Sequence, residues 1–191
     1  ITDDSTITLS ACSIIYNGEL TGKCIMGGNN SGGSIIITDC NISSPVYTTS
    51  DACILGGNNE VKNITLAGCY VAVTGTLQAT YGIVGGGNTA TDSITICGCY
   101  LQGNYLNFSQ DAGILGSQNN TPNILISDSY IKANIELQCT SDGIAGGSNQ
   151  GGDININNCY LECSGLTNIN GGAILGGGNG SGDITVEGCY L

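Results

Sequence analysis

The sequence predicts an all-β fold, a parallel β-solenoid. Three observations predict it: a repeat of about 30 residues, apolar positions that alternate with polar ones, and a glycine-rich composition without helical periodicity. An isoleucine followed two residues later by an apolar residue recurs at Ile7, Ile35, Ile64, Ile94, Ile124, Ile154 and Ile184. Short alternating segments that are rich in Ile, Val and Thr are typical of β-strands.

The repeat predicts how the strands stack. A single strand cannot bury its inner face alone, so we expect about six coils of about 30 residues, each pairing in parallel with the next at a distance of about 4.8 Å. The usual hand for such connections is right-handed. Each coil is expected to hold three strands: residues 94–101 with a kink near Gly98, a variable stretch around 105–109, and 114–116.

A column of cysteines accompanies the first strand of each coil. The residues five positions after the repeated isoleucines include Cys12, Cys40, Cys69, Cys99, Cys159 and Cys189. Alternation points these side chains inward, where a thiol packs as a small apolar group, so we favour a reduced, buried column. Vertical disulfides are the alternative, although side chains in parallel register seldom offer the required torsion. Cys24 and Cys53 share a second column and are a candidate bridge between two coils.

Asparagine forms another column, after a glycine-rich segment. Its members are Asn30, Asn59, Asn88, Asn119, Asn149 and Asn179. A sharp bend leaves backbone groups unpaired, and an Asn at the same position in every coil can bond both its neighbour and the local backbone. The sequence therefore predicts a structural asparagine ladder.

These motifs resemble the parallel β-helix repeats of the pectate-lyase type and, more closely, the glycine-rich repeats of bacterial cell-surface proteins. In such repeats, a segment like residues 173–179 (AILGGGN) leads into one like residues 183–189 (DITVEGC). The resemblance covers nearly the whole chain and implies the fold. It leaves the function open, because such helices occur in polysaccharide-cleaving enzymes, phage tailspikes, adhesins and passive stalks.

Charge excludes two classes of function. The chain has 15 acidic residues, three lysines and no histidine, for a formal net charge of -12. Nucleic acids are held by many Lys and Arg contacts, so we expect no nucleic-acid partner. Polyuronate-cleaving β-helix enzymes combine carboxylates with a basic residue, and the lysines fall at unrelated coil positions, so we expect no enzymatic activity. The chain also lacks the long apolar run that membrane insertion needs.

A column of outward-pointing tyrosines is a candidate for a role other than folding. Tyr70, Tyr100, Tyr130, Tyr160 and Tyr190 occupy the same position in successive coils. Stacked rings can simply stabilise the sheet. The alternatives are a platform for sugar rings or a contact surface against another copy, since Tyr combines a large contact area with a hydroxyl.

Two weaker hypotheses concern polar columns. Asp153 and Asp183, with Asn63 at the same coil position, supply oxygen atoms that could bind calcium, but a turn-forming role is favoured. No other cofactor is expected. Outward threonines such as Thr65 and Thr95 suggest ice binding, although other residues interrupt their column.

The ends of the chain complete the interpretation. Residues 1–191 are expected to form a single solenoid domain or a segment of a longer repetitive chain, with terminal coils that present unpaired backbone. We therefore expect a non-enzymatic, extracellular or cell-surface structural protein, a stalk, sheath or filament subunit whose partner is another copy of itself. The alternative is a carbohydrate-binding or adhesive module that uses the Tyr column to bind glycans.

Overall fold

The computed structural model describes residues 5–22, 25–111, 114–116, 118–141, 149–150, 152–167 and 180–190. These residues form β-strands joined by turns and contain no helix. The strands are β1 Thr6–Ser10, β2 Ser13–Ile15, β3 Glu19–Gly22, β4 Ser34–Thr38, β5 Asn41–Ser44, β6 Val46–Thr49, β7 Glu60–Ala67, β8 Tyr70–Ala79, β9 Thr89–Cys97, β10 Tyr100–Asp111, β11 Asn123–Ser127, β12 Tyr130–Ser141, β13 Asp153–Asn157, β14 Tyr160–Cys163, β15 Leu166–Thr167 and β16 Ile184–Glu187.

Two parallel sheets form the solenoid, which confirms the predicted fold class. Sheet 1 has seven strands in the order β1-β4-β7-β9-β11-β13-β16. Sheet 2 has nine strands, with β14-β12-β10-β8-β5-β2 along its main path and β3, β6 and β15 paired beside it. The coils of about 30 residues make a solenoid of about five turns. The sequence predicted about six coils.

The first strand of each coil is shorter than predicted. The predicted strand 94–101 is divided, because β9 ends at Cys97 and β10 begins at Tyr100. The kink expected near Gly98 is therefore a turn that carries the chain from sheet 1 to sheet 2.

The other two predicted strands vary along the solenoid. The second coil has three separate strands, β4, β5 and β6, but β8 and β10 each join the last two into one. The predicted stretch 105–109 therefore belongs to β10. Residues 114–116 contribute an isolated bridge at Leu115, one of a column that also contains Met26, Leu55 and Val84.

Each turn between the sheets is built around one residue with positive φ. These residues are Ala11, Asp39, Gly68, Gly98, Asp128, Asn158 and Gly188, with φ between 49° and 62°. The side chain that follows bonds the carbonyl two positions earlier. Cys99 Sγ lies 3.5 Å from the Cys97 carbonyl oxygen, and Ser129 Oγ lies 2.8 Å from that of Ser127. The Cys column thus closes the turn as well as filling the core, a role that the alternating pattern alone does not predict.

The thiols of the central Cys column are buried, as predicted. Cys40, Cys69, Cys99 and Cys159 are fully buried, while Cys12 and Cys189 in the end coils are half-buried. All six are free thiols. A hydrogen bond with the Cys69 thiol, together with burial, raises the pKa of the Cys99 thiol. Cys24, half of the candidate bridge to Cys53, lies outside the described residues.

The predicted asparagine ladder is present from Asn30 to Asn149. Asn59 Nδ2 donates to Asn88 Oδ1 at 2.7 Å and to the Gly56 carbonyl at 2.7 Å. The same pattern joins Asn30 to Asn59, Asn88 to Asn119, and Asn119 to Asn149. Asn59, Asn88, Asn119 and Asn149 are buried, so these bonds satisfy polar groups that water does not reach. Asn179 lies outside the described residues.

One continuous apolar core runs along the solenoid axis. Ile94, Ile96, Cys99 and Leu101 point inward and are fully buried, while Tyr100 points outward, as the alternation predicts. Stacked aliphatic columns from both sheets meet in this core. Because a buried aliphatic side chain contributes about 1.5–3 kcal/mol, stacked coils stabilise one another.

Candidate functional site

The tyrosine column lies at the start of sheet 2, and its rings stack from Tyr100 to Tyr190. The backbone register aligns Tyr70, Tyr100, Tyr130, Tyr160 and Tyr190. The ring centroids are 4.4 Å apart between Tyr100 and Tyr130, 4.6 Å between Tyr130 and Tyr160, and 5.1 Å between Tyr160 and Tyr190. All three pairs are stacked, with interplanar angles of 28°, 13° and 0°. We call Tyr100, Tyr130, Tyr160 and Tyr190 the Tyr ladder.

Stacking determines what the Tyr ladder can offer to a ligand. Tyr130 and Tyr160 each have a ring on both sides, so their faces are covered by protein. Their edges and hydroxyls remain at the surface. Burial raises the pKa of the Tyr160 hydroxyl, and the neighbouring Tyr130 and Tyr190 add to the shift. The Tyr ladder therefore offers a ligand its hydroxyl groups and ring edges, whereas the inner ring faces are occupied.

An ion pair lies beside the Tyr ladder on the same face of sheet 2. Lys132 Nζ contacts the Glu162 carboxylate oxygens at 2.9 and 3.0 Å. The two residues are in register, two positions after Tyr130 and Tyr160. Because both side chains are substantially exposed, this pair contributes little to stability.

A shallow groove lies further along the outer face of sheet 2. Its floor is a column of polar side chains, Thr48, Gln78, Asn107 and Gln138, which the backbone register places side by side in four successive coils. Tyr105 and Glu136 also line it. Two adjoining hollows of about 290 and 310 Å³ share Asn107 and make up the groove. We call this the amide groove.

A backbone irregularity shapes the amide groove. The register of β10 shifts between Gly103 and Tyr105 against both neighbouring strands. Such a shift turns two consecutive side chains to the same side of a sheet. Asn104 is consequently half-exposed and accepts from Asn134 Nδ2 at 3.0 Å, while Tyr105 is 42% exposed. Within the described chain, the Tyr105 ring has no stacking partner.

Sequence reasoning missed the amide groove, although a signal was present. In three of these coils a Gln or Asn lies between two less polar residues, as in Leu77-Gln78-Ala79 and Leu106-Asn107-Phe108. The intervals from Thr48 to Gln78, Asn107 and Gln138 are unequal, so a fixed repeat does not align the column.

The residues proposed for calcium form hydrogen bonds with the neighbouring coil. Asp153 Oδ1 accepts from the Asp183 amide at 3.0 Å, and Asn63 Oδ1 accepts from the Ser93 hydroxyl at 3.0 Å. Among the residues that the structure describes, no group of three or more His, Cys, Asp or Glu side chains is placed to hold a metal ion.

The outward threonines of sheet 1 form no continuous surface. Thr65 and Thr95 are paired neighbours, but Ile36 precedes Thr65 and Leu125 follows Thr95 in the same column. Two threonines on adjacent strands are the longest run of threonine in this column.

Comparison with known proteins gives no match. No protein-family profile, curated protein or solved structure matches the chain. The described residues include no helix that is long and apolar enough to cross a membrane.

Proposed function

We propose that this chain is a non-enzymatic structural repeat protein of the extracellular space or cell surface, a stalk, sheath or filament subunit that extends by stacking solenoid coils. Its glycine-rich repeats are similar to those of bacterial surface proteins, which fits such a role. The low content of charged side chains and the dense backbone pairing suit a durable, passive scaffold.

One observation carries the proposal. Ile184 and Val186 of β16 continue the inward columns of Ile154 and Ile156. Ile154 and Ile156 are buried, but Ile184 and Val186 are 44% and 38% exposed. A further coil, whether from the same polypeptide or from another copy, would bury these side chains and pair the open backbone edge of β16.

The test is negative-stain electron microscopy of the purified chain over a dilution series. We expect rods that join end to end, with lengths that fall on dilution as mass action requires. Ile184→Lys places a charge on the stacking surface and should leave short rods. Thr185→Lys, on the outward side of the same strand, is the matched control and should leave assembly unchanged. Isolated particles at every concentration, equal in length for all three proteins, would contradict end-to-end assembly.

A second candidate function is adhesion through the tyrosine column, which consists of Tyr70 and the Tyr ladder. Its specific support is the aligned row of surface hydroxyl groups, which can donate to glycans or to another copy. A glycan array with Tyr100→Ala and Tyr130→Ala tests it, because binding that depends on the Tyr ladder should be lost in both variants. Ice binding, the third candidate, rests on the interrupted threonine column and would appear as thermal hysteresis of the purified chain.

A further inference from the structure

We propose that the amide groove, rather than the Tyr ladder, binds a neutral polysaccharide, with the sugar chain lying along the solenoid axis. Three properties of the groove support this assignment: free hydrogen-bonding capacity, an available aromatic ring and the absence of strong charge. The proposal goes beyond a passive structural role and does not depend on end-to-end assembly.

The amides of the groove differ from those of the asparagine ladder. Asn59 and Asn88 are buried, and their amides bond one another and the backbone. The side chains of Gln78, Asn107 and Gln138 are also in register, yet no hydrogen bond joins them to other described residues. Each amide therefore has donors and an acceptor for a ligand. Sugar hydroxyls both donate and accept, so they match such groups.

The arrangement of these amides favours an extended ligand. The four polar residues of the floor come from four successive coils, so they recur at the strand spacing of about 4.8 Å. A polymer with regularly spaced hydroxyl groups can contact several of them at once, whereas a small molecule can reach only one or two.

Tyr105 supplies the aromatic contact. Its ring is 42% exposed and lies beside the polar column, with Thr76 and Glu136 as its neighbours in register. In the Tyr ladder, by contrast, the faces of Tyr130 and Tyr160 are covered by adjacent rings. The apolar face of a sugar needs an uncovered ring face, which favours Tyr105 over the inner rings of the Tyr ladder.

The charge of the groove lining indicates which class of polysaccharide can bind. The lining of the amide groove contains one carboxylate, Glu136, and no lysine. With the net charge of -12, this disfavours polyuronates and other anionic chains. A single carboxylate also gives little attraction for a cationic peptide. The remaining ligand chemistry that matches the groove is a neutral, hydroxyl-rich chain.

The test is isothermal titration calorimetry of the purified chain with cellohexaose, xylohexaose and mannohexaose, and with hexagalacturonate as the anionic comparison. We expect at least one neutral hexasaccharide to bind with a Kd below about 1 mM, and hexagalacturonate not to bind. Tyr105→Ala should weaken binding about tenfold, and Gln78→Ala should weaken it less. Both side chains are exposed, so the variants should fold, which circular dichroism checks.

Tyr16→Ala is the matched control, because Tyr16 is 53% exposed and lies outside the groove. Its affinity should equal that of the unmodified chain. Absence of binding to all three neutral hexasaccharides would overturn the proposal. So would equal losses in Tyr105→Ala and Tyr16→Ala, or a loss in Tyr130→Ala with none in Tyr105→Ala, which would place binding on the Tyr ladder. Electron microscopy measures end-to-end assembly independently of calorimetry, so the assembly proposal and the binding proposal can each fail without the other.

Discussion

Asn59 is bonded to Asn88 in the next coil both through its side chain and through its backbone. Its Nδ2 donates to Asn88 Oδ1 at 2.7 Å, and its backbone amide donates to the same oxygen at 3.2 Å. The remaining Nδ2 proton is directed to the Gly56 carbonyl within its own coil. One side chain thus closes a bend and joins two coils, which explains why the column holds Asn at every described position.

Asn59→Ala should lower the free energy of unfolding by about 2–4 kcal/mol, because several buried polar groups lose their partners. Asn134→Ala is the control, since this exposed side chain makes a surface bond to Asn104, and it should cost less than about 0.5 kcal/mol. Urea unfolding followed by circular dichroism measures both. If both variants lost the same unfolding free energy, burial of the asparagine ladder would not be the source of its stabilising effect.

Ser129→Ala should destabilise the turn between the sheets by about 1–3 kcal/mol. The hydroxyl donates to the Ser127 carbonyl and accepts from the Cys99 amide at 2.9 Å. Ser129→Cys should retain most of the stability, because thiols make the equivalent bond in the neighbouring coils. Thermal unfolding of the two variants compares them. A Cys variant no more stable than the Ala variant would contradict the role assigned to the column.

Gly57→Ala should prevent correct stacking or cost at least about 3 kcal/mol. A Cβ at this position would lie 2.2 Å from the Gly86 carbonyl oxygen, a backbone atom that cannot move aside alone. Gly27→Ala is the matched control, because nothing lies within 4 Å of its added Cβ, and it should change stability by less than about 0.5 kcal/mol. Yield of soluble protein and urea unfolding test the pair. Normal folding of Gly57→Ala would refute the close backbone approach.

Stability should fall at alkaline pH in part through Cys159. Burial raises the pKa of this thiol from 9.0 to about 11, with the neighbouring Cys189 adding to the shift. The folded state therefore holds the proton more tightly than the unfolded chain does. The resulting stabilisation is complete below pH 9 and is lost as the pH rises through 11, and it amounts to about 3 kcal/mol at most.

Cys159→Ser isolates this effect. A serine hydroxyl at this position can donate to the Asn157 carbonyl, just as the Ser129 hydroxyl donates to the Ser127 carbonyl in the preceding coil. Unlike the thiol, it does not ionise between pH 8.5 and 11. Between pH 8.5 and pH 11, the free energy of unfolding should fall further for the unmodified chain than for the variant. The same fall in both proteins would mean that Cys159 does not titrate as proposed.

The amide groove illustrates what sequence reasoning could not reach. Gln78 and Asn107 are 29 residues apart, whereas Asn107 and Gln138 are 31 apart. The register shift at Tyr105 absorbs this difference, and only the folded backbone reveals where the shift falls. The length of the segment around Tyr105 does not by itself indicate which of its side chains points outward.

The spacing of the repeats is enough to predict the solenoid, its period and its main columns. A repeat that preserves strand alternation brings each residue next to its copy, so the burial of Ile94 and the alignment of Tyr100 with Tyr130 follow from spacing alone. That the kink near Gly98 is a turn between two sheets is visible only in the folded chain, since the positive-φ position holds Ala, Asp, Gly or Asn and has no single residue signature. The folded chain also shows which polar side chains are paired. Asn88 and Asn107 are both asparagines in polar columns. The Asn88 side chain is buried at a bend beside backbone acceptors, whereas the Asn107 side chain faces outward from strand β10.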